Sequence, residues 1–229
     1  MRAALLVVLL LPITVAAADA STVGNFDPHA GAAVPAQLAF REGRIGDYFG
    51  RAPVVLVLGY LGCTNLCGTT LNGVAQALHD TGLVPERDYR ALFVSIDPRD
   101  ERAPPERRPG WHFLTGAASA ARVARVVGFD YQFEKESGQY AHPAGFVVLT
   151  PEGRVSRYFE GVRFDSGELK QALSGAGQGK TSNAFEQLLL VCFHDPENGR
   201  YTATILASIR VAMIALLAGA AFFAWRRLR

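Results

Sequence analysis

Apolar residues run unbroken through PVVLVL (Pro53–Leu58) and, with one serine, through RALFVSI (Arg90–Ile96). Short runs of this kind predict core strands buried on both faces. Between them Leu71, Val74, Ala75 and Leu78 recur at helical spacing, which predicts a helix over Gly68–His79 with Gly82 as its stop. Trp111–Leu114 predicts a short strand. Ala117–Val127, with apolar Ala120, Ala121, Val123, Ala124 and Val127 before Gly128, predicts a second helix. Ala144–Leu149 and Val155–Phe159 flank Pro151-Glu152-Gly153, a tight-turn pattern that predicts an antiparallel hairpin. Asp165–Leu173 predicts a last helix with Asp165 or Ser166 as its N-cap. Nearer the start, Gln37–Glu42 and Arg44–Phe49 predict two short strands hairpinned about Gly43. The order β-α-β, then α, then a β-hairpin and a last α implies an α/β, thioredoxin-like fold: a mixed sheet with helices on both faces.

The hydrophobic pattern changes character at both ends. Arg2 precedes an apolar run from Ala3 to Ala18, and small residues follow in AAADAS (Ala16–Ser21). This predicts a secretory signal over residues 1–20, cut after Ala18 or Ala20, with an uncleaved anchor as the alternative. Thr202–Trp225 is long and apolar and is followed by RRLR (Arg226–Arg229). That length and those flanks predict one C-terminal transmembrane helix over 202–225 and a cytoplasmic tail over 226–229. Arg210 would cost roughly 2.5–3.5 kcal/mol at mid-bilayer. It sits in the first third of the stretch, from where its side chain can snorkel to the interface. A surface-lying amphipathic helix is the alternative. The domain itself is expected over 21–175. A linker and a juxtamembrane helix follow over 176–201, with linker composition (SGAGQGKTSN) already beginning at Ser174. This topology places the domain outside the membrane, in the periplasm of a bacterium, where thiols need a reductant to stay reduced.

The 229-residue chain carries a net charge of +2 with its basic residues scattered, which gives no reason to propose a nucleic-acid partner. Three cysteines are too few for a disulfide scaffold. Two of them, Cys63 and Cys67, lie one helical turn apart in GYLGCTNLCGTTL (Gly59–Leu71), where the first core strand meets the first helix. The helix dipole is expected to lower a thiolate pKa at that position. Two sulfurs so placed reach one soft metal, copper(I) or zinc, or each other in thiol–disulfide exchange; a plain structural disulfide is the bland alternative. His142, between Tyr140 and Pro143 in a loop before a strand, would by itself be read as a solvated histidine.

The stretches GYLGCTNLCGTTL, VSIDPRDE (Val94–Glu101) and YAHPAGFVVLTPEGR (Tyr140–Arg154) together resemble the Sco/SenC family. These are thioredoxin-like copper-binding proteins linked to cytochrome c oxidase assembly. The resemblance covers Asp27–Ser174. It implies copper as cofactor, Cys63, Cys67 and His142 as its ligands, and a cytochrome c oxidase subunit or another copper acceptor as partner. Two thiolates and an imidazole leave a position open for a receiving ligand, which metal transfer needs. Asp97 matches an acid of the family motif and is expected either to tune or orient the site or simply to form the turn before Pro98. The chain departs from the family pattern in three places. Thr64 and Gly68 stand where prolines are usual, Arg99–Arg108 is short, Pro-rich and charged where a helix is usual, and the anchor is C-terminal.

Other candidates carry less. Tyr60 reads as a core aromatic, with packing beside the site as the alternative. His29, His79 and His112 read as surface or packing residues. Cys192 and His194 form a Cys-x-His near the membrane, read as a packed cysteine and a solvated histidine, with an accessory copper pair as the alternative. The leading functional expectation is a membrane-anchored copper chaperone. The second is a thiol–disulfide oxidoreductase in which Cys63 attacks and Cys67 resolves, although the spacing is one residue longer than the thioredoxin Cys-x-x-Cys. A peroxidase of the same superfamily lacks its Pro-x-x-x-Thr-x-x-Cys before Cys63, and a redox or copper sensor is the last alternative.

Overall fold

Every residue of the run Val54–Gly59 is buried, so this strand must be covered on both faces, and the architecture follows from how that is done. The computed structural model describes residues 26–63, 67–100, 110–181 and, near the C-terminus, 210, 211, 213, 214, 216 and 225–227. In chain order the elements are β1 (Ala39–Phe40), β2 (Gly43–Arg44), a 3₁₀ turn (Ile45–Tyr48), β3 (Val54–Gly59), α1 (Cys67–Asp80), β4 (Arg90–Ser95), β5 (Trp111–Leu114) and α2 (Ala117–Val126). Then come β6 (Gln132–Glu134), β7 (Gln139–Ala141), β8 (Gly145–Leu149), β9 (Val155–Glu160) and α3 (Ser166–Gly177).

The main sheet has the order β5-β4-β3-β8-β9. β3, β4 and β5 are parallel, β8 is antiparallel to β3, and β9 is antiparallel to β8. Parallel neighbours need a crossover, which α1 supplies between β3 and β4. Alternate residues of β3 feed two cores. Val54, Leu56 and Leu58 pack with Ala120, Val123 and Ala124 of α2, while Val55 and Val57 pack with Val74 and Leu78 of α1 and Leu169 and Leu173 of α3. The mixed sheet with helices on both faces is the expected thioredoxin-like arrangement.

A strap over Phe26–Val34 closes the α2 side. Asp27 N–H donates to Gly128 O at 2.7 Å and Val34 N–H to Gly153 O at 2.9 Å, and Phe26 packs edge-on against Phe129 with centroids 5.6 Å apart. Gly128 is required there: its φ is +61°, and a Cβ would lie 1.6 Å from the Asp27 carbonyl oxygen. At the other end, α3 packs Gly177 beside Pro53, and Ser156 Oγ donates to Lys180 O at 2.8 Å. The chain therefore leaves the domain next to the residue that precedes β3.

Three elements differ from expectation. Ile45–Tyr48 is a 3₁₀ turn and not a strand, because the Asp47 carboxylate accepts the Arg44 N–H at 3.0 Å and curls the chain, burying Ile45. α3, capped as expected by Asp165 accepting the Glu168 N–H at 2.7 Å, continues past Leu173 to Gly177, since buried Ala176 completes its apolar face. The two-stranded hairpin β6–β7 was not expected at all; it pairs only with itself. Among the described residues no helix is long and apolar enough to cross a membrane. Of the expected span 202–225, the structure describes only 210, 211, 213, 214, 216 and 225. All are helical, with Val211, Met213, Ile214, Leu216 and Trp225 exposed. The expected signal over 1–20, Cys192 and His194 lie outside the described residues.

Candidate metal centre

β3 ends at Gly59, and the chain turns through Leu61 and Gly62 to Cys63 before α1 begins at Cys67. A side chain on Gly59 would meet the Phe93 ring at 3.3 Å, with the Cys67 sulfur 3.9 Å away, so glycine leaves room for the thiol. Cys67 N–H, at the start of α1, donates to Cys63 Sγ at 3.4 Å, so one sulfur of the pair takes up a helix-end donor. The thiol-bearing turn is tied to β4 through Asp100. A single carboxylate oxygen accepts the Leu61 N–H at 2.8 Å and the Ser95 hydroxyl at 2.6 Å.

His142 comes from the segment between β7 and β8, the strand that neighbours β3. Its Nδ1 lies 2.8 Å from the Pro143 carbonyl oxygen. A carbonyl can only accept, so Nδ1 carries the proton and the Nε2 lone pair is free. That nitrogen faces Cys67 Sγ at 3.0 Å. The ring is held between Phe129, stacked at 5.5 Å, and Tyr60, edge-on at 5.8 Å. The Tyr60 hydroxyl donates to Gln139 Oε1 at 2.6 Å and accepts the Tyr140 N–H at 3.3 Å.

One ligand atom each from Cys63, Cys67 and His142 lie within 4.8 Å of one another, the only group of this kind among the described residues. Cys63 is half-buried, Cys67 is buried, and neither is in a disulfide. Burial, and then the neighbouring Cys63 sulfur, push the Cys67 thiol up to about 12. The expected lowering is therefore overturned at Cys67. A helix terminus is worth about 0.3–1 kcal/mol, less than one pKa unit, whereas burial moves a group by up to several units. Burial likewise holds the His142 imidazole below its usual range, against the opposing bond to Pro143, so it is neutral at pH 7. A protonated Cys67 thiol, a second cysteine sulfur and an imidazole lone pair form a site whose metal binding displaces a proton from Cys67. Two sulfurs and one nitrogen suit a soft ion such as copper(I), and three donors leave a coordination position open.

Asp97 does not reach the donors. Its carboxylate accepts the Arg99 N–H at 2.8 Å and grips the Arg99 guanidinium at 2.6–2.9 Å, forming the turn before the charged segment. Arg99 in turn donates to Gly138 O at 3.3 Å and lies 5.6 Å over Phe133, so Asp97 bears on the site only by bracing the hairpin that precedes His142. His29, His79 and His112 bond to Val126 and Asp27, to Asp80, and to Glu86, away from the donors. Tyr60 is both a core residue, 2% exposed, and a wall of the site. Asp100 and Phe129 had no expected role. A second carboxylate three residues after Asp97 was the available signal for Asp100, whereas nothing in the chain marks Phe129 beyond its place after Gly128.

A family model described as SCO1/SenC matches residues 46–176, more than half of the chain. Among solved structures, a putative electron transfer protein from Aquifex aeolicus is 18% identical, covers 66% of this chain and 96% of its own, and has a TM-score of 0.56. Copper-bound ScoI from Arabidopsis thaliana is 20% identical over 69% of this chain and 99% of its own, with a TM-score of 0.51. BsSco, described as a Sco-family cytochrome c oxidase assembly protein with a disulfide switch, is 18% identical over 68% and 99%, with a TM-score of 0.52. No curated protein matches the chain. At these identities the solved structures share its fold.

Proposed function

The chain belongs to the SCO1/SenC family, and from that premise we propose that it is a membrane-anchored, extracytoplasmic copper chaperone serving the copper centre of a cytochrome c oxidase. The observation that carries this reading is the convergence of Cys63, Cys67 and His142 within 4.8 Å, from segments 75 residues apart in sequence for Cys67 and His142. Copper is here cargo rather than a resident cofactor. Two thiols and an imidazole would hold it, and the half-buried Cys63 leaves one side of the donor set accessible to a receiving protein. The copper bound by the Arabidopsis relative and the oxidase-assembly description of BsSco support the same cargo and client. Anchoring rests on the apolar stretch 202–225, whose described apolar side chains are exposed and so await a nonpolar surrounding.

Copper(I) titration of the reduced full chain tests the reading. One tight copper per chain is expected, with at least about a tenfold loss in His142→Ala, since even the outer partners of metal ligands are worth roughly 10–100-fold. Binding that ignores His142 would end the chaperone reading.

Two neighbouring cysteines outside any disulfide, with Cys63 the more accessible, favour a second reading as a thiol–disulfide reductase. Cys63 as thiolate would attack an acceptor disulfide, releasing one acceptor thiol and forming a mixed disulfide. Cys67 would then attack the Cys63 sulfur, releasing the second acceptor thiol and closing Cys63–Cys67, to be reopened by an external dithiol. Reduction of insulin by the reduced chain, with loss of both activity and copper binding in Cys63→Ser, would show the two roles sharing one pair of sulfurs.

A further inference from the structure

Tyr60 stands where the thiol side and the imidazole side of the centre meet. It directly follows β3, and its ring lies edge-on to both His142 and Tyr140, at 5.8 and 5.5 Å. Core packing needs only that ring, and a phenylalanine would supply it. The hydroxyl does something further. It makes two bonds to β7, donating to the Gln139 carboxamide at 2.6 Å and accepting the Tyr140 N–H at 3.3 Å. β7 ends at Ala141, the residue before His142.

The hairpin that carries β7 has no strand partner in the main sheet. Its other brace, Arg99 on Gly138 and Phe133, is on the outside, with the Arg99 side chain 58% exposed. Solvent competes for such outer bonds, while a hydrogen bond made by a residue as enclosed as Tyr60 persists. One buried oxygen thus joins the end of β3, just before the thiol-bearing turn, to the strand just before the imidazole.

We propose that the Tyr60 hydroxyl is a positioning group for metal capture: it fixes β7, and through it His142, at the distance from Cys63 and Cys67 that lets three donors close on one ion. This rests on the reading of the site as copper-binding. The hydroxyl is not itself a ligand. It lowers the cost of binding by holding the third donor in place before the metal arrives.

A double-mutant cycle separates positioning from simple core damage. In the reduced full chain, Tyr60→Phe keeps the ring and removes the oxygen. Competition against a chromogenic copper(I) chelator is expected to show at least a tenfold loss of affinity, within the range for outer-sphere partners. In a His142→Ala background the same substitution is expected to change affinity by less than about twofold, because its effect is exerted through the imidazole. The unloaded chain supplies a readout without metal: amide exchange at Tyr140 and Ala141 is expected to accelerate at least tenfold, with β3 amides unchanged. Gln139→Leu, which removes a partner from the opposite side, is expected to act in the same direction on both readouts. Wild-type affinity in Tyr60→Phe, or a loss that simply adds to that of His142→Ala, overturns the positioning role alone. Copper binding indifferent to His142→Ala overturns the copper reading, and this proposal with it.

Discussion

The thiols and the imidazole reach the same point by different routes. Cys63 and Cys67 flank the corner between β3 and α1, and β3, which leads into it, is paired on both sides and buried along its length. His142 lies between β8, a buried strand of the main sheet, and a three-residue strand on a self-paired hairpin, whose β6 is wholly exposed and whose β7 is half-buried. β3 belongs to the core sheet, whereas the hairpin on the β7 side of His142 is tied by a handful of side-chain bonds. The difference teaches that the thiols start from the fixed half of the site, whereas one of the two approaches to the third donor lies outside the main sheet. Under the proposed chaperone role, a centre that both holds and releases copper would gain from that division.

The largest expected effect comes from breaking the fixed half. Cys67→Ser should abolish tight copper binding, a loss beyond the roughly 100-fold of an outer-shell change, read by chelator competition. Next, Leu56→Ala, in the centre of β3, should cost about 2–5 kcal/mol in urea unfolding, while Phe133→Ala on the 43% exposed hairpin position should cost well under 1 kcal/mol. Equal costs would erase the contrast between the two regions. A smaller effect is expected from Asp100→Ala, which strands the Leu61 N–H and the Ser95 hydroxyl. About 1–3 kcal/mol is at stake, and iodoacetamide should alkylate Cys63 faster as the turn loosens; an unchanged alkylation rate would show that the turn is held without Asp100.

The smallest effect concerns the outer brace and depends on pH. Burial pushes the Asp97 carboxyl up, but the side-chain and backbone bonds from Arg99 outweigh it and hold it below its usual range. A folded-state pKa below the unfolded one stabilises the fold above the unfolded pKa, near 4, and that stability is lost as pH falls through the lower folded value. Thermal melts of the wild type should therefore decline more steeply below about pH 4 than those of Asp97→Asn. Parallel profiles would remove Asp97 from the bracing of the hairpin.

The same contrast explains what could be read from the chain. The core strands were legible because PVVLVL is apolar without a break and RALFVSI nearly so, and the cysteine pair because its spacing falls where a strand runs into a helix. The hairpin β6–β7 was not legible: Gln132, Phe133 and Glu134 are exposed and Tyr140 alone packs against the core, so no alternation marks the strands, which Tyr60 and Arg99 tie in place. Ile45–Tyr48 misled because its apolar and aromatic residues suit a strand, while the Asp47 carboxylate decides for a turn. His142 was legible only through family resemblance. A loop histidine becomes a candidate ligand when Phe129, Tyr60 and Pro143 enclose it, and those contacts span stretches of chain that no local pattern connects.

Ser156 bonds Lys180 beside the entry to β3, whereas the donor atoms lie beyond the strand's exit, roughly 20 Å further along six residues of extended chain. With the span proposed at 202–225, the tether would pull on the pole of the domain opposite its cargo. Delivery would then favour a recipient whose metal-accepting lobe stands clear of the lipid over one that opens within the bilayer.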